Sequence, residues 1–556
     1  MKKILIYTFA IFGLLNFTMS CSDFGDVNND PEHLNEGNLD YRLMFTQVQS
    51  QIAGSDWDVW RNGIIYCSNM MQQTSSVDWS QGVFYTWSSD FNAAYWDGFY
   101  AITRGAIFNI TQVMNKWKDN PDYANEYQFA RIMKAYMFQN MTDLYGDVPY
   151  FDAGKSLEGI NYPKYDSQEN IYKDILKELE DVNENLKGLN QKDGIIGTAD
   201  VIYEGDTEQW RKFANSLMLR AAMRLVKVNP ELAKTYANKA ITNGLFTSVE
   251  DNAMVAHSDA IVTNDSAEPY GKIFSNEDPQ AFYISEYFID ALKESKDPRI
   301  HLIATKCENP EEQWSAGNKF DLGDSSDAEK LIGLPIGYDL KNGDWDIKNA
   351  PNFPKLKTRN EEESDDEWRN YYALPNRLTY GRPDVPSMLV TYAQNNLLLA
   401  DAAARGIIDG GAAKAEEYFK KGIQAAMDQF ELYPDAGSLV RDFLPDNKVK
   451  EYINSRIVAF RENALKEINW QYYITSFGAE YEVFSNWRRS GYPEIKSVYE
   501  APHNRPLYPN YVTKEIPRRF TYPTNESQVN KANYNEAVKN LSDGDAMSSR
   551  VWWDAK

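Results

Sequence analysis

The chain has 556 residues, a formal net charge of −23 and 14% aromatic residues. An acidic chain is poorly equipped to neutralise phosphates or to lie flat on anionic lipid, so nucleic acid is excluded as a partner and a surface-bound membrane mode is disfavoured. The four histidines, His33, His257, His301 and His503, show no HxxxH or other metal-ligand spacing. No CxxC, GxSxG, Walker A or GxGxxG loop occurs either, so no cofactor and no metal is expected.

In chain order, residues 1–20 come first, with Lys2 and Lys3 ahead of an apolar run over 4–17. That run is short for a membrane span and has the layout of a secretory signal. Cys21 follows the small residue Ser20, which looks like a bacterial lipoprotein acceptor; ordinary cleavage with an incidental thiol is the alternative. Acyl chains on Cys21 would anchor the protein, each buried CH₂ adding ~0.8 kcal/mol. Residues 21–40 then read as an acidic, polar tether. No other stretch is long and apolar enough to cross a bilayer. Residues 41–556 read as one domain, because a helical solenoid can exceed the usual ~150 residues per domain.

The folded body begins at 43–52. Residues 54–96 set Trp57, Trp60, Tyr66, Trp79, Tyr85, Trp87 and Trp96 among Ser, Asp, Gln and Asn. Residues 72–89 keep neither a helical nor a strand period and read as a long loop, the kind that carries function. A sugar ring offers an apolar CH face and a rim of hydroxyls. Indole and phenol faces suit the first; Asp, Asn, Gln and Arg suit the second. The competing reading makes these rings core knobs, and for Trp96 core packing is the better reading.

Residues 92–117 read as one helix, ended by Pro121, and 126–144 as its partner, with Gly146 a C-cap and Pro149 forbidding continuation. Helices are expected at 168–186, 206–228 and 230–243. The second of these, 206–228, opens on Asp206 or Thr207 as N-cap, and Trp210, Phe213, Ala214, Leu217, Met218, Ala221, Ala222 and Leu225 form a wide apolar stripe. Such a helix needs neighbours on more than one side.

Residues 250–385 are rich in Gly, Pro, Asn, Asp and aromatics and read as a large irregular insertion with short helical pieces such as 285–295. It carries Tyr270, Trp314, Tyr338, Trp345, Trp368, Tyr371, Tyr372 and Tyr380. The acidic run at 361–367 reads as a solvated loop, since it lacks the alternation and glycine turn of a calcium loop; residues 323–327 are a weaker calcium candidate. Within 390–430, Leu398, Ala403 and Gly406, then Ala415, Tyr418, Gly422 and Ile423, follow part of a tetratricopeptide pattern. A second pair is expected at 448–468 and 470–486. Cys67 and Cys307 could pair or remain buried thiols; sequence leaves both open.

Several segments carry a family resemblance. GDTEQWRKFANSLMLRAAMRL (205–225), LYGDVPY (144–150), FSNWRRSGYPEI (484–495), PRRFTYPTNES (517–527), NKANYNEA (530–537) and SSRVWWD (548–554) resemble segments of the SusD/RagB family of nutrient-binding outer-membrane lipoproteins. The resemblance implies a mostly α fold, with tetratricopeptide-like helix pairs bearing a loop-rich ligand-binding side. It implies a surface-exposed, lipid-anchored protein of the outer membrane that captures oligosaccharides and hands them to a SusC-like TonB-dependent transporter, without catalysis. In the family the Arg488–Arg489 segment is framework. Peptide capture, as in RagB-like members, is the alternative, and a glycosidase a third reading, because 81 acidic residues are enough to supply paired carboxylates. For ligand contact the choice falls on Trp79, Tyr85, Trp87, Trp314 and Trp345, then Trp57 and Trp60.

Overall fold

The computed structural model describes residues 39–101, 105–187, 195–258, 266–314, 320–341, 343–354 and 367–556. Cys21 and the leader before it lie outside the described residues, as do most of the acidic run 361–367 and the stripe residue Ile102. The architecture is mostly α-helical, with helices packed as antiparallel neighbours.

In the first half these are α1 (Tyr41–Ile52), α2 (Ser89–Tyr100), α3 (Ala106–Trp117), α4 (Ala124–Tyr145), α5 (Gln168–Leu186), α6 (Thr207–Arg224) and α7 (Pro230–Asn243). In the second half they are α8 (Tyr392–Ala404), α9 (Gly411–Asp428), α10 (Asp446–Glu462), α11 (Ala464–Thr475) and α12 (Glu480–Ser490). Helix α6 packs against α5 and α7 and reaches across to α8, so it joins the two halves.

Its sequence accounts for that position. The Asp206 carboxylate accepts from the backbone N–H groups of Glu208 and Gln209, satisfying two orphan donors of the first turn. Trp210, Phe213, Leu217 and Met218 are all fully buried. Each such side chain contributes ~1.5–3 kcal/mol of transfer free energy before entropy is deducted. The Trp210 ring lies parallel to Phe129 of α4 at 4.8 Å. Its indole N–H donates to Asp200 at 2.7 Å.

Two sequence expectations need correction. The single helix expected over 92–117 is two, α2 and α3, because Gly105 folds back and its N–H donates to the Ala101 carbonyl at 2.8 Å. A Cβ at Gly105 would lie 2.2 Å from that carbonyl oxygen, so only glycine fits the break. The pair expected at 448–468 and 470–486 is three helices, since Asn463 ends α10 and its side chain caps α11 by accepting from the Lys466 N–H.

The tetratricopeptide-like crossing is α8 on α9. Gly422 sits against Leu397, where an added Cβ would meet Leu397 Cγ and Cδ2 at 2.7 Å. Gly406 lies between the helices with φ +71°, in the left-handed region.

The family-like segments converge on one buried polar knot. Asp143, at the end of α4, accepts from Arg224 Nε at 3.2 Å, from the Trp553 indole at 2.7 Å and from the Tyr172 hydroxyl. Arg224 also pairs with Glu482 of α12, which accepts from Tyr472 at 2.7 Å. Arg488 donates to the carbonyls of Asp143 and Arg518 at 2.7 and 2.9 Å. Arg489 pairs with Asp401 of α8 at 3.2 Å. Buried charges survive only when paired in this way. Arg488 and Arg489 are therefore framework.

Strands are few and short among the described residues: β1 (Thr74–Ser75), β2 (Ala253–Val255), β3 (Tyr283–Ile284), β4 (Ala304–Thr305), β5 (Leu374–Pro375) and β6 (Ser387–Val390). They form antiparallel two-stranded ribbons β1–β3, β2–β6 and β4–β5. The first ribbon stitches the aromatic loop to the insertion, pairing Thr74 with Ile284. The insertion has its own small core, with Tyr283, Leu334, Ile347, Trp368 and Tyr372 buried together. Cys307 belongs to that core and Cys67 to the main one, and both are free thiols. Burial pushes the Cys307 thiol up to about 12.

Candidate functional site

The loop read as irregular over 72–89 is anchored at both ends. After β1, the Ser76 hydroxyl accepts from the Trp79 N–H at 2.9 Å, and Asn69 donates to the Trp79 carbonyl at 3.3 Å. The short helix Gln81–Phe84 follows and ends at Tyr85 in the left-handed region, φ 54°. The Tyr85 carbonyl then accepts from the Val512 N–H at 2.9 Å, and Thr86 bridges to Tyr511. This zipper sets Trp87 at the lip of an open cleft with Asn510 beside it.

The cleft has a volume of about 820 Å³. Its walls come from four distant stretches: Val77–Ser88 in part, Glu277–Ala281, Asp339–Lys341 and Tyr508–Asn510, with Arg369 and Glu311 completing it. The floor is cross-linked. Arg369 donates to both Asp78 oxygens at 2.8 and 3.0 Å and to the Gln280 carbonyl at 3.1 Å. A bidentate pair of this kind fixes geometry as well as charge. On the opposite wall, buried Asp339 accepts from the Tyr508 hydroxyl at 2.7 Å and from the Lys341 N–H at 2.8 Å. The Lys341 ammonium donates to the Tyr508 oxygen. Tyr508 itself lies flat on Phe84 at 4.0 Å, with the Lys341 ammonium over its ring at 4.7 Å.

Two of the sequence-selected rings meet here. Trp87 is 43% exposed, and its indole N–H donates to the Thr521 hydroxyl at 3.0 Å, which orients the plane. Trp79 is half-buried, with its ring edge-on to Trp60 at 4.6 Å and tilted against Phe91 at 6.1 Å. Trp60 stands behind Trp79 and does not line the cleft. Asp278 stands between these groups. Burial raises its carboxyl to about 6, helped by neighbouring Asp78 and Glu277 and opposed by the indole N–H groups of Trp60 and Trp79.

The other selected rings lie elsewhere. Tyr85 is corrected to a packing residue: it is 1% exposed and edge-on to Tyr499 at 5.8 Å, because its left-handed backbone turns the side chain inward. Trp314 is half-buried beneath the Arg382 guanidinium at 4.4 Å and edge-on to Phe320, away from the cleft lining. Trp345 stands behind Tyr508 at 5.3 Å, and its indole donates to the Pro506 carbonyl at 3.1 Å. Trp57 is 49% exposed on a separate surface, one face covered by Arg61 at 3.2 Å. Trp96 is core, as its sequence context suggests.

Sequence reading missed Asp78, Asp278, Gln280, Asp339, Lys341, Arg369 and Asn510. Asp78 is the chain neighbour of Trp79, which is a local signal; the rest carry none. At 323–327, Asp324 and Asp327 accept from the N–H groups of Ser326 and Glu329 in their own turns. Among the described residues no group of three or more His, Cys, Asp or Glu is set to hold a metal ion.

The helical frame thus carries an open cleft lined by aromatic and polar side chains. Over residues 33–523 the sequence matches the SusD-like family described as starch-binding, associating with outer membrane, and the chain belongs to that family. Among solved structures, a chitin-binding protein is similar at 26% identity and a TM-score of 0.72, covering 93% of this chain and 100% of its own. A SusD-like protein of Bacteroidetes AC2a is similar at 25% identity and a TM-score of 0.78, with the same coverage. A chitin-binding SusD homologue from Flavobacterium johnsoniae shares the fold at 22% identity and a TM-score of 0.67, covering 93% of this chain and 99% of its own. No curated protein matches. No helix among the described residues is long and apolar enough to cross a membrane.

Proposed function

We propose that the protein is a cell-surface glycan-binding lipoprotein, anchored through Cys21, that captures oligosaccharides and passes them to a SusC-like TonB-dependent transporter. The observation that carries this reading is the joint placement of Trp79 and Trp87 with Asp78, Asp278, Gln280, Arg369 and Asn510 around one open cleft. Trp87 offers an apolar face to the CH side of a sugar, and the amide, carboxylate and guanidinium groups meet its hydroxyl rim. The chitin-binding of two structurally similar proteins supports a glycan as the ligand.

The reaction type is capture without bond cleavage. An indole platform of ~150 Å² is worth ~4 kcal/mol of burial before association costs. That term alone reaches no further than about millimolar; with the polar contacts of the cleft added, dissociation constants of roughly tens of micromolar to millimolar are expected, suited to capture and release.

An array of immobilised oligosaccharides, followed by calorimetry on its best ligand, tests the reading. Saturable binding with no released product after long incubation supports it. Binding of peptides with no saccharide binding, or release of product, overturns it. Replacing Cys21 by alanine should move the protein from the membrane to the soluble fraction.

A further inference from the structure

The charges around the cleft do not balance. Among the described residues five carboxylates border it, on Asp78, Glu277, Asp278, Glu311 and Asp339, against two cations, Lys341 and Arg369. Both cations are engaged within the protein. Arg369 is clamped by both Asp78 oxygens at 2.8 and 3.0 Å. Lys341 donates to Tyr508 and lies 4.0 Å from Asp339. Glu277 is paired with Lys272 at 3.3 Å. Asp278 and Glu311 have no cation paired with them among the described ion pairs, and Asp278 lies on the same wall as Trp79 and Pro279.

We infer that the cleft selects saccharides carrying a protonated amine and rejects those carrying uronate or sulfate groups, with Asp278 as the residue that reads the amine. This rests on the glycan-capture reading. An anionic sugar seated on Trp87 would face uncompensated carboxylates, with no cation among the described lining residues at liberty to receive it. An ammonium on the same ring would donate a charge-assisted hydrogen bond to the Asp278 carboxylate. In a partly buried cleft these charges are screened less than at an open surface.

The test uses one backbone, so that shape stays constant. The neutral oligosaccharide that binds best on the array is compared with derivatives bearing an amine or a carboxylate in place of a primary hydroxyl. Titrations at pH 7.5 in low salt should show the amine form binding at least tenfold more tightly than the parent. The carboxylate form should bind at least tenfold more weakly. D278N should bring the amine form to within about threefold of the parent, and E311Q added to it should relax rejection of the carboxylate. Thermal melting of both variants checks that they are folded. An amine form that binds no better than the parent overturns the inference, as does a preference that survives in D278N/E311Q or a carboxylate form that binds best. Failure of every saccharide on the array instead removes the capture reading itself.

Discussion

Removing the Trp87 ring is the most informative perturbation of the site. A tryptophan side chain can bury up to ~250 Å². With Trp87 43% exposed, roughly 110 Å² of it is available to a ligand, worth ~2.7 kcal/mol at ~25 cal/mol/Å². That corresponds to about 100-fold in affinity, of which ordering and association costs absorb part. W87A should therefore weaken oligosaccharide binding between about 10- and 100-fold in calorimetry. The variant should fold but melt lower, because the indole gives up its hydrogen bond to Thr521, at 3.0 Å, worth ~1 kcal/mol, together with the buried part of the ring, worth up to ~3 kcal/mol. W87F, which keeps a flat apolar face, should recover much of the binding. If W87A binds within about twofold of the parent while remaining folded, the platform argument is refuted.

W79A should weaken binding as well, but with a clear drop in melting temperature, because it removes the edge contact to Trp60 at 4.6 Å; an unchanged melt would contradict the packing described. G422V should cost ~1–3 kcal/mol of stability, read as a lower denaturant midpoint, since even a Cβ there meets Leu397 at 2.7 Å; a neutral effect would argue against the tight α8–α9 crossing. Cys67 and Cys307 should both react with a thiol reagent once the chain is denatured without reductant, whereas a disulfide would hide both. Glu480 is buried, which is the main cause of its carboxyl rising to about 8; the Tyr270 hydroxyl opposes that rise and Glu268 adds to it. The fold thus holds Glu480 neutral, so its contribution is complete below an unfolded value near ~4.3 and is lost as pH climbs through about 8. E480Q does not titrate, so its stability relative to the parent should improve by a few kcal/mol between about pH 5 and 9. A difference that stays constant with pH would show that Glu480 is not held neutral.

Much of the helical frame is legible because its ends carry local signals. Ser167 caps α5, Asp206 caps α6, and Asn229 with Pro230 starts α7, so these boundaries follow from short-range chemistry. The α2–α3 break is harder to see, since the apolar spacing runs on through it and the close approach at Gly105 depends on a carbonyl already folded back. Asn463 is similar, being at once the end of α10 and the cap of α11. At the site, aromatic rings in a polar, aperiodic loop point to Trp79 and Trp87, and the structure sets both in the cleft lining. The same pointer fails for Tyr85, because a left-handed backbone decides where that ring goes. It fails for Trp314 and Trp345 because their covers, Arg382 and Tyr508, lie far along the chain. Asp78 and Arg369 form the floor from positions 291 residues apart, and nothing local couples them.

The central claim is that a sugar ring lies on Trp87 inside the cleft floored by the Asp78–Arg369 pair. A crystal structure with the array's best oligosaccharide answers it directly. The account predicts a pyranose face against the Trp87 indole, with its hydroxyls bonded to groups among Asp278, Gln280, Arg369 and Asn510. Saccharide bound on another surface, such as the exposed face of Trp57, with the cleft left to solvent, would contradict it.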